Sequence, residues 1–121
     1  MSATEFQEQS ALFEWAALSE GKYPELRWMH SIPNGGYRPP KTAAILKLTG
    51  VKAGVPDICL PVARNGFHAL YIELKRVSGG AVSASQRIWL NALTEQGFKA
   101  VVCKGADEAI RVILEYLGGK E

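Results

Sequence analysis

Apolar positions recur at helical spacing in four stretches of the chain and alternate or cluster in four others. The first stretch predicts a helix over residues 4–19. Phe6, Phe13 and Ala17 form one apolar stripe with Leu12 and Ala16 beside it. Thr4, with Gln7 three residues later, reads as a capping box. Glu5, Gln9, Leu12 and Ala16 follow i, i+4, i+7, i+11, so Glu5 and Gln9 share a face. Residues 26–32 alternate, with Leu26, Trp28, His30 and Ile32 set against Arg27, Met29 and Ser31, and predict a strand. A dense run of turn residues follows over 33–40. A short helix fits 41–49 with Gly50 as its stop, and 51–56 reads as a loop.

The second half is patterned more sharply. Residues 57–62 predict a strand with Pro61 near its end, and Asn65-Gly66 favours a primed hairpin turn. The return strand spans 67–75, with Leu70, Ile72 and Leu74 on one face and Tyr71, Glu73 and Lys75 on the other. A helix over 83–96 offers Ile88, Trp89, Ala92 and Leu93 as its buried face. A strand follows over 98–103. A last helix over 106–117 turns Ala109, Val112, Ile113, Tyr116 and Leu117 inward. Trp15, Trp28 and Trp89 are all expected in the core. The order α-β-α-β-β-α-β-α predicts an α/β fold, a mixed central sheet flanked by helices. Residues 67–103 form a right-handed crossover between parallel strands. A chain of 121 residues of this pattern is expected to be a single domain over 1–121.

Composition narrows the setting. No apolar run approaches the roughly 18 residues of a membrane span. The polar, acidic start does not resemble a signal peptide, so a cytoplasmic protein without membrane partners is expected. Cys59 and Cys103 lie in apolar runs, without zinc-ligand spacing, and read as buried thiols in a reducing compartment. Net charge is only +2. Committing three of the 12 acids to a metal would leave a clear excess of the 14 bases on the surface, which permits a nucleic-acid partner.

The chemistry gathers on the hairpin. Asp57 opens one strand, and Glu73 and Lys75 close its antiparallel neighbour, so the three meet at one end. Glu73 and Lys75 share a face, their Cα atoms about 6.6 Å apart at roughly 3.3 Å rise per residue. Two carboxylates and the Leu74 backbone carbonyl supply oxygen ligands suited to Mg²⁺. A metal so held can neutralise a phosphodiester and activate water, and Lys75 is placed to orient or deprotonate that water. Two other residues have structural explanations of equal standing. Gln86 forms a capping box with Ser83, and Glu5 is an acid in a first helical turn, where the macrodipole favours it. Either could also face the site. Asn34-Gly35-Gly36 with Arg38, Lys41, Lys52 and Gly54 reads as turns and solvated charge, or as a loop set for phosphates. His30 and His68 read as structural and surface residues.

Several of these motifs coincide with one family's. Glu5 with Gln9, Ile32-Pro33-Asn34-Gly35-Gly36, Gly54-Val55-Pro56-Asp57, Ile72-Glu73-Leu74-Lys75-Arg76, Ser83-x-x-Gln86 and Gly97 resemble the stand-alone phage and prophage type of VRR-NUC domain, a branch of the PD-(D/E)xK nuclease superfamily. The resemblance covers nearly the whole chain. It implies a restriction-endonuclease-like core, with Asp57 and Glu73 as metal-binding carboxylates and Lys75 as catalytic lysine. It further implies that Gln86 is the glutamine of the helix after the core strand, and that Glu5, rather than Glu8, is the acid of the first helix near the metal. It implies an endonuclease using Mg²⁺ or Mn²⁺ on branched DNA such as four-way junctions, working as a homodimer in a bacterial or phage-infected cell. The rival expectations are a non-catalytic DNA-binding module and a restriction-type nuclease on linear duplex.

Overall fold

The sheet is organised on β3 (Leu70–Lys75), a six-residue strand paired on both sides. The computed structural model describes residues 3–33 and 39–118. β2 (Ile58–Leu60) runs antiparallel to β3, with Ile58 opposite Ile72 and Leu60 opposite Leu70. β1 (His30–Ser31) runs antiparallel to β2. β4 (Lys99–Lys104) lies on the far side of β3 and is parallel to it, Glu73 facing Val102. The result is a mixed sheet in the order β1-β2-β3-β4.

The β2–β3 register is set at the turn. Asn65 and Gly66 both take positive φ, 53° and 85°, as a primed turn requires. Arg64 and Phe67 close it with a reciprocal pair of backbone hydrogen bonds of 3.2 and 2.8 Å.

Four helices flank the sheet. α1 (Glu5–Ser19) starts on the Thr4–Gln7 capping box, and α3 (Ala84–Glu95) starts on a second one between Ser83 and Gln86. α1 and α4 (Ala106–Tyr116) pack on the β3 face that carries Leu70, Ile72 and Leu74. Leu12, Leu26, Ile113 and Tyr116 join those residues in the core. α3 covers the opposite face, where Gln86 meets Glu73 and Lys75. α2 (Pro40–Leu48) begins with Pro40, whose missing N–H costs nothing in a first turn, and buries none of its residues.

The structure corrects the sequence reading at several elements. Residues 24–28 form a 3-10 helix and not a strand, leaving only two residues in β1. Pro24 starts the 3-10 turn, and the buried residues there are Leu26 and Met29, three apart, which is the 3-10 repeat. Trp28 is therefore 60% exposed, with the Arg27 guanidinium 5.3 Å above its ring. On α1 the buried positions are Leu12 and Ala16, while Phe6 is 79% exposed. On α3 Ile88 is 67% exposed and Ala92 faces solvent, so of its apolar residues only Trp89, Leu90 and Leu93 are half-buried. Trp15 packs against the core, but Trp89 is not part of it. The expected phosphate loop at Asn34-Gly35-Gly36 and Arg38 lies outside the described residues.

One glycine holds the start of α3 against the loop that precedes Asp57. Gly54 has φ +94°, and a Cβ there would sit 2.7 Å from the Ser85 backbone carbon and oxygen. Gly66 has a similar φ with nothing within 4 Å. Both Gly→Ala changes incur the left-handed penalty of about 1–2 kcal/mol. Only Gly54→Ala must also displace the start of α3. Urea unfolding is expected to show Gly54→Ala at least ~1 kcal/mol less stable than Gly66→Ala. Equal midpoints would show that the contact does not matter.

Candidate active site

Asp57 stands immediately before β2, after the buried Pro56. Its backbone carbonyl extends the β1–β2 ladder by accepting from the Ile32 N–H at 2.7 Å. Its side chain turns across to β3, where Oδ2 accepts from the Leu74 N–H at 2.9 Å. Residue 74 pairs with no β2 residue, since the register ends at Ile58 opposite Ile72. Asp57 thus takes up a strand amide that β2 is too short to reach. Strand alternation puts the Leu74 carbonyl on the same edge, because the Lys75 carbonyl points the other way and accepts from the Gly105 N–H at 2.8 Å.

Glu73 and Lys75 project from β3 toward α3, and both are buried, with exposures of 1% and 6%. The two charges are therefore not alternating charge on a wet strand face. Lys75 Nζ lies 3.4 Å from Glu73 Oε2. Gln86 joins the two: its Nε2 donates to Glu73 Oε2 at 3.0 Å, and its Oε1 accepts from Lys75 Nζ at 2.9 Å. The same Oε1 accepts from the Ser83 N–H at 2.9 Å. Gln86 is therefore cap and site residue at once, and the two readings of it are not alternatives. Glu73 Oε1 is a buried polar atom with no hydrogen-bond partner.

That orphan oxygen is explained by electrostatics. Burial pushes the Glu73 carboxyl up, the Asp57 charge and a hydrogen bond shared with Asp57 push it further, and Lys75 offsets part of the rise, leaving it at about 8. Lys75 offsets only part of what burial and the Asp57 charge cost the ionised Glu73, and a proton on Glu73 removes the rest. The donor set fits a hard divalent cation equally well: two carboxylates and one carbonyl, all oxygen. Among the described residues, no cluster of three or more His, Cys, Asp or Glu side chains could hold a metal ion, so the carboxylate pair is the available clamp.

Glu5 is not brought to this pair. It stands exposed at the first position of α1, and the acid that α1 turns inward is Glu8. Glu8 Oε1 accepts from the Ala106 N–H at 2.9 Å, fastening α1 to the start of α4 beside Gly105. The signal for Glu8 was present in the sequence, since Glu8, Leu12 and Ala16 lie on one i, i+4, i+8 row and the latter two are buried. His30 and His68 are exposed. Cys59 and Cys103 are buried free thiols, and burial raises both, Cys103 to about 12, so neither is poised as a nucleophile.

A family model described as "VRR-NUC domain" matches residues 3–107. A solved structure titled "VRR_NUC domain protein" aligns with TM-score 0.84 and 32% identity, over 98% of this chain and 91% of that one. Among curated proteins there is no match.

The Glu73 shift has a definite sign. Its folded-state value lies above the ordinary carboxylate range, so the folded protein holds a proton that the unfolded chain releases. Stability in chelator is full at pH below the ordinary value of 4.5 and falls as pH rises toward about 8. Urea titrations between pH 5 and 9 are expected to show this decline in wild type and a flatter profile in Glu73→Gln. A wild-type profile as flat as the variant's would remove Glu73 as the source.

Proposed function

The chain belongs to the VRR-NUC domain family, a nuclease-type family, and from that premise we propose that it is a Mg²⁺- or Mn²⁺-dependent DNA endonuclease. We assign it to the PD-(D/E)xK superfamily and the stand-alone phage type, acting as a homodimer on branched DNA such as four-way junctions. The observation that carries the catalytic reading is the buried circuit in which one glutamine holds both Glu73 and Lys75 beside Asp57. A structural ion pair has no need of a second acid, and an orphaned Glu73 oxygen is a cost that a bound cation would remove.

Asp57, Glu73 and the Leu74 carbonyl would hold the cation, which would supply charge neutralisation at the phosphate and acidify a bound water. Lys75 is placed to orient the attacking water from its ammonium form, or to take the water's proton from its neutral form, as the oxygen–phosphorus bond forms and the bond to the leaving oxygen breaks. Gln86 fixes Lys75 Nζ and Glu73 Oε2 relative to each other, so it is a positioning residue. Lys41 and Lys52, both exposed, are available to the DNA backbone. Ile45 and Leu48 of α2 and Ile88 of α3 are exposed apolar side chains, which supports association of two copies.

Labelled four-way junction, flap and linear duplex are to be incubated with Mg²⁺, with Mn²⁺ and with chelator. Metal-dependent cutting of the junction is expected, falling by a factor of about 10²–10⁴ in Lys75→Ala and vanishing in Asp57→Ala. Binding of all three DNAs without any cleavage would make the chain a binding module. Light scattering at micromolar concentration is expected to give the mass of a dimer, and a monomer would reject the two-copy arrangement.

A further inference from the structure

Beside the carboxylates lies an open groove of about 380 Å³ that none of the chemistry above uses. Its walls are Ile32 and Pro33 after β1, Val51, Lys52 and Val55 of the 50–56 loop, and Trp89 of α3. We infer that this groove takes one unpaired nucleobase of the DNA strand being cut, stacked against Trp89.

Its position favours a part of the same substrate. Val55 is two residues before Asp57, and Trp89 is one helical turn after Gln86, on the same side of α3. A group in the groove therefore lies next to whatever Asp57, Glu73 and Lys75 hold. The second argument is the tryptophan itself. Trp89 is half-buried yet outside the hydrophobic core, so core packing does not account for an indole at this position. Aromatic side chains beside a basic surface serve as stacking platforms, and they tolerate any sequence because every base has a π-face. The third is charge and size. Among the described residues, the lining carries one cation, Lys52, and no acid. The space is large enough for a ring-sized group. A base must leave its stack to enter, so DNA with unpaired bases at a branch or frayed end is preferred over intact duplex. The inference rests on the nuclease reading for its substrate, and it adds how that substrate is chosen.

The test uses three DNAs in chelator. One carries 2-aminopurine at an unpaired position beside a branch, the second has an abasic site there, and the third is fully paired. Wild type and Trp89→Phe are expected to quench the unpaired probe. Trp89→Leu is expected to lose the quench and bind that DNA about tenfold more weakly, with unchanged affinity for the other two. An unquenched probe with wild type overturns the inference, as does equal weakening on all three DNAs. A change in association state in place of DNA affinity would make the groove a protein contact and also overturns it. Should Trp89→Leu not fold, wild type decides alone, because equal affinity for the unpaired-base and abasic DNAs rejects the stack. The two readings fail separately: cutting with Mg²⁺ but no quench rejects only the groove, and quench without cutting rejects only the nuclease.

Discussion

A buried carboxylate, Glu73, stands beside a half-buried one, Asp57, and most of the local structure is arranged around that fact. Burial raises the cost of ionising Glu73, and the neighbouring Asp57 charge raises it further. The chain supplies one cation, Lys75, at 3.4 Å, and one amide donor each from Gln86 and Leu74. Those satisfy Glu73 Oε2 and Asp57 Oδ2 and leave Glu73 Oε1 bare. A protein interior normally removes such a group or pairs it.

The scaffold holds this conflict from three directions. β3 carries Glu73 and Lys75 within its ladder to β4, opposite Val102 and Lys104, so neither can swing away with a loop. β2 stops short, which frees the Leu74 amide for Asp57. α3 enters with its first turn aimed at the pocket. Its cap residue Gln86 spends one carbonyl oxygen on both the Ser83 amide and Lys75. Gly54 lets the loop before Asp57 press directly against the Ser85 backbone, which sets the depth of that helix start.

The hairpin and its chemistry were legible because strand period, turn type and residue identity agreed. Asn65-Gly66 fixed the turn, and the turn fixed which end of β3 meets Asp57. What was misread lay where two periods compete. Leu26, Trp28 and Ile32 alternate as a strand would, yet Leu26 and Met29 at spacing three decided the fold, with Pro24 as the starter. On α1 the large Phe6 and Phe13 outweighed smaller neighbours in the sequence pattern, whereas the helix buried Leu12 and Ala16 and carried Glu8 inward with them. Glu5 follows from the same rotation, left in solvent at the helix end. Nothing in the sequence alone could show that one glutamine caps a helix and binds Glu73 and Lys75 together, because that depends on where the helix starts relative to β3.

The core and the site are two faces of one strand, and this links folding to chemistry. Leu70, Ile72 and Leu74 meet Leu12 and Ile113 on one side, while Glu73 and Lys75 meet α3 on the other. A slip of one residue in the pairing of β3 would send the two charges into the α1–α4 core and three aliphatic side chains into the pocket. The cost of burying an acid and an amine among Leu12, Ile113 and Tyr116 makes that register far less stable than the native one. The polar pair therefore works against mispairing. The charges that make the site expensive also specify the sheet that holds it.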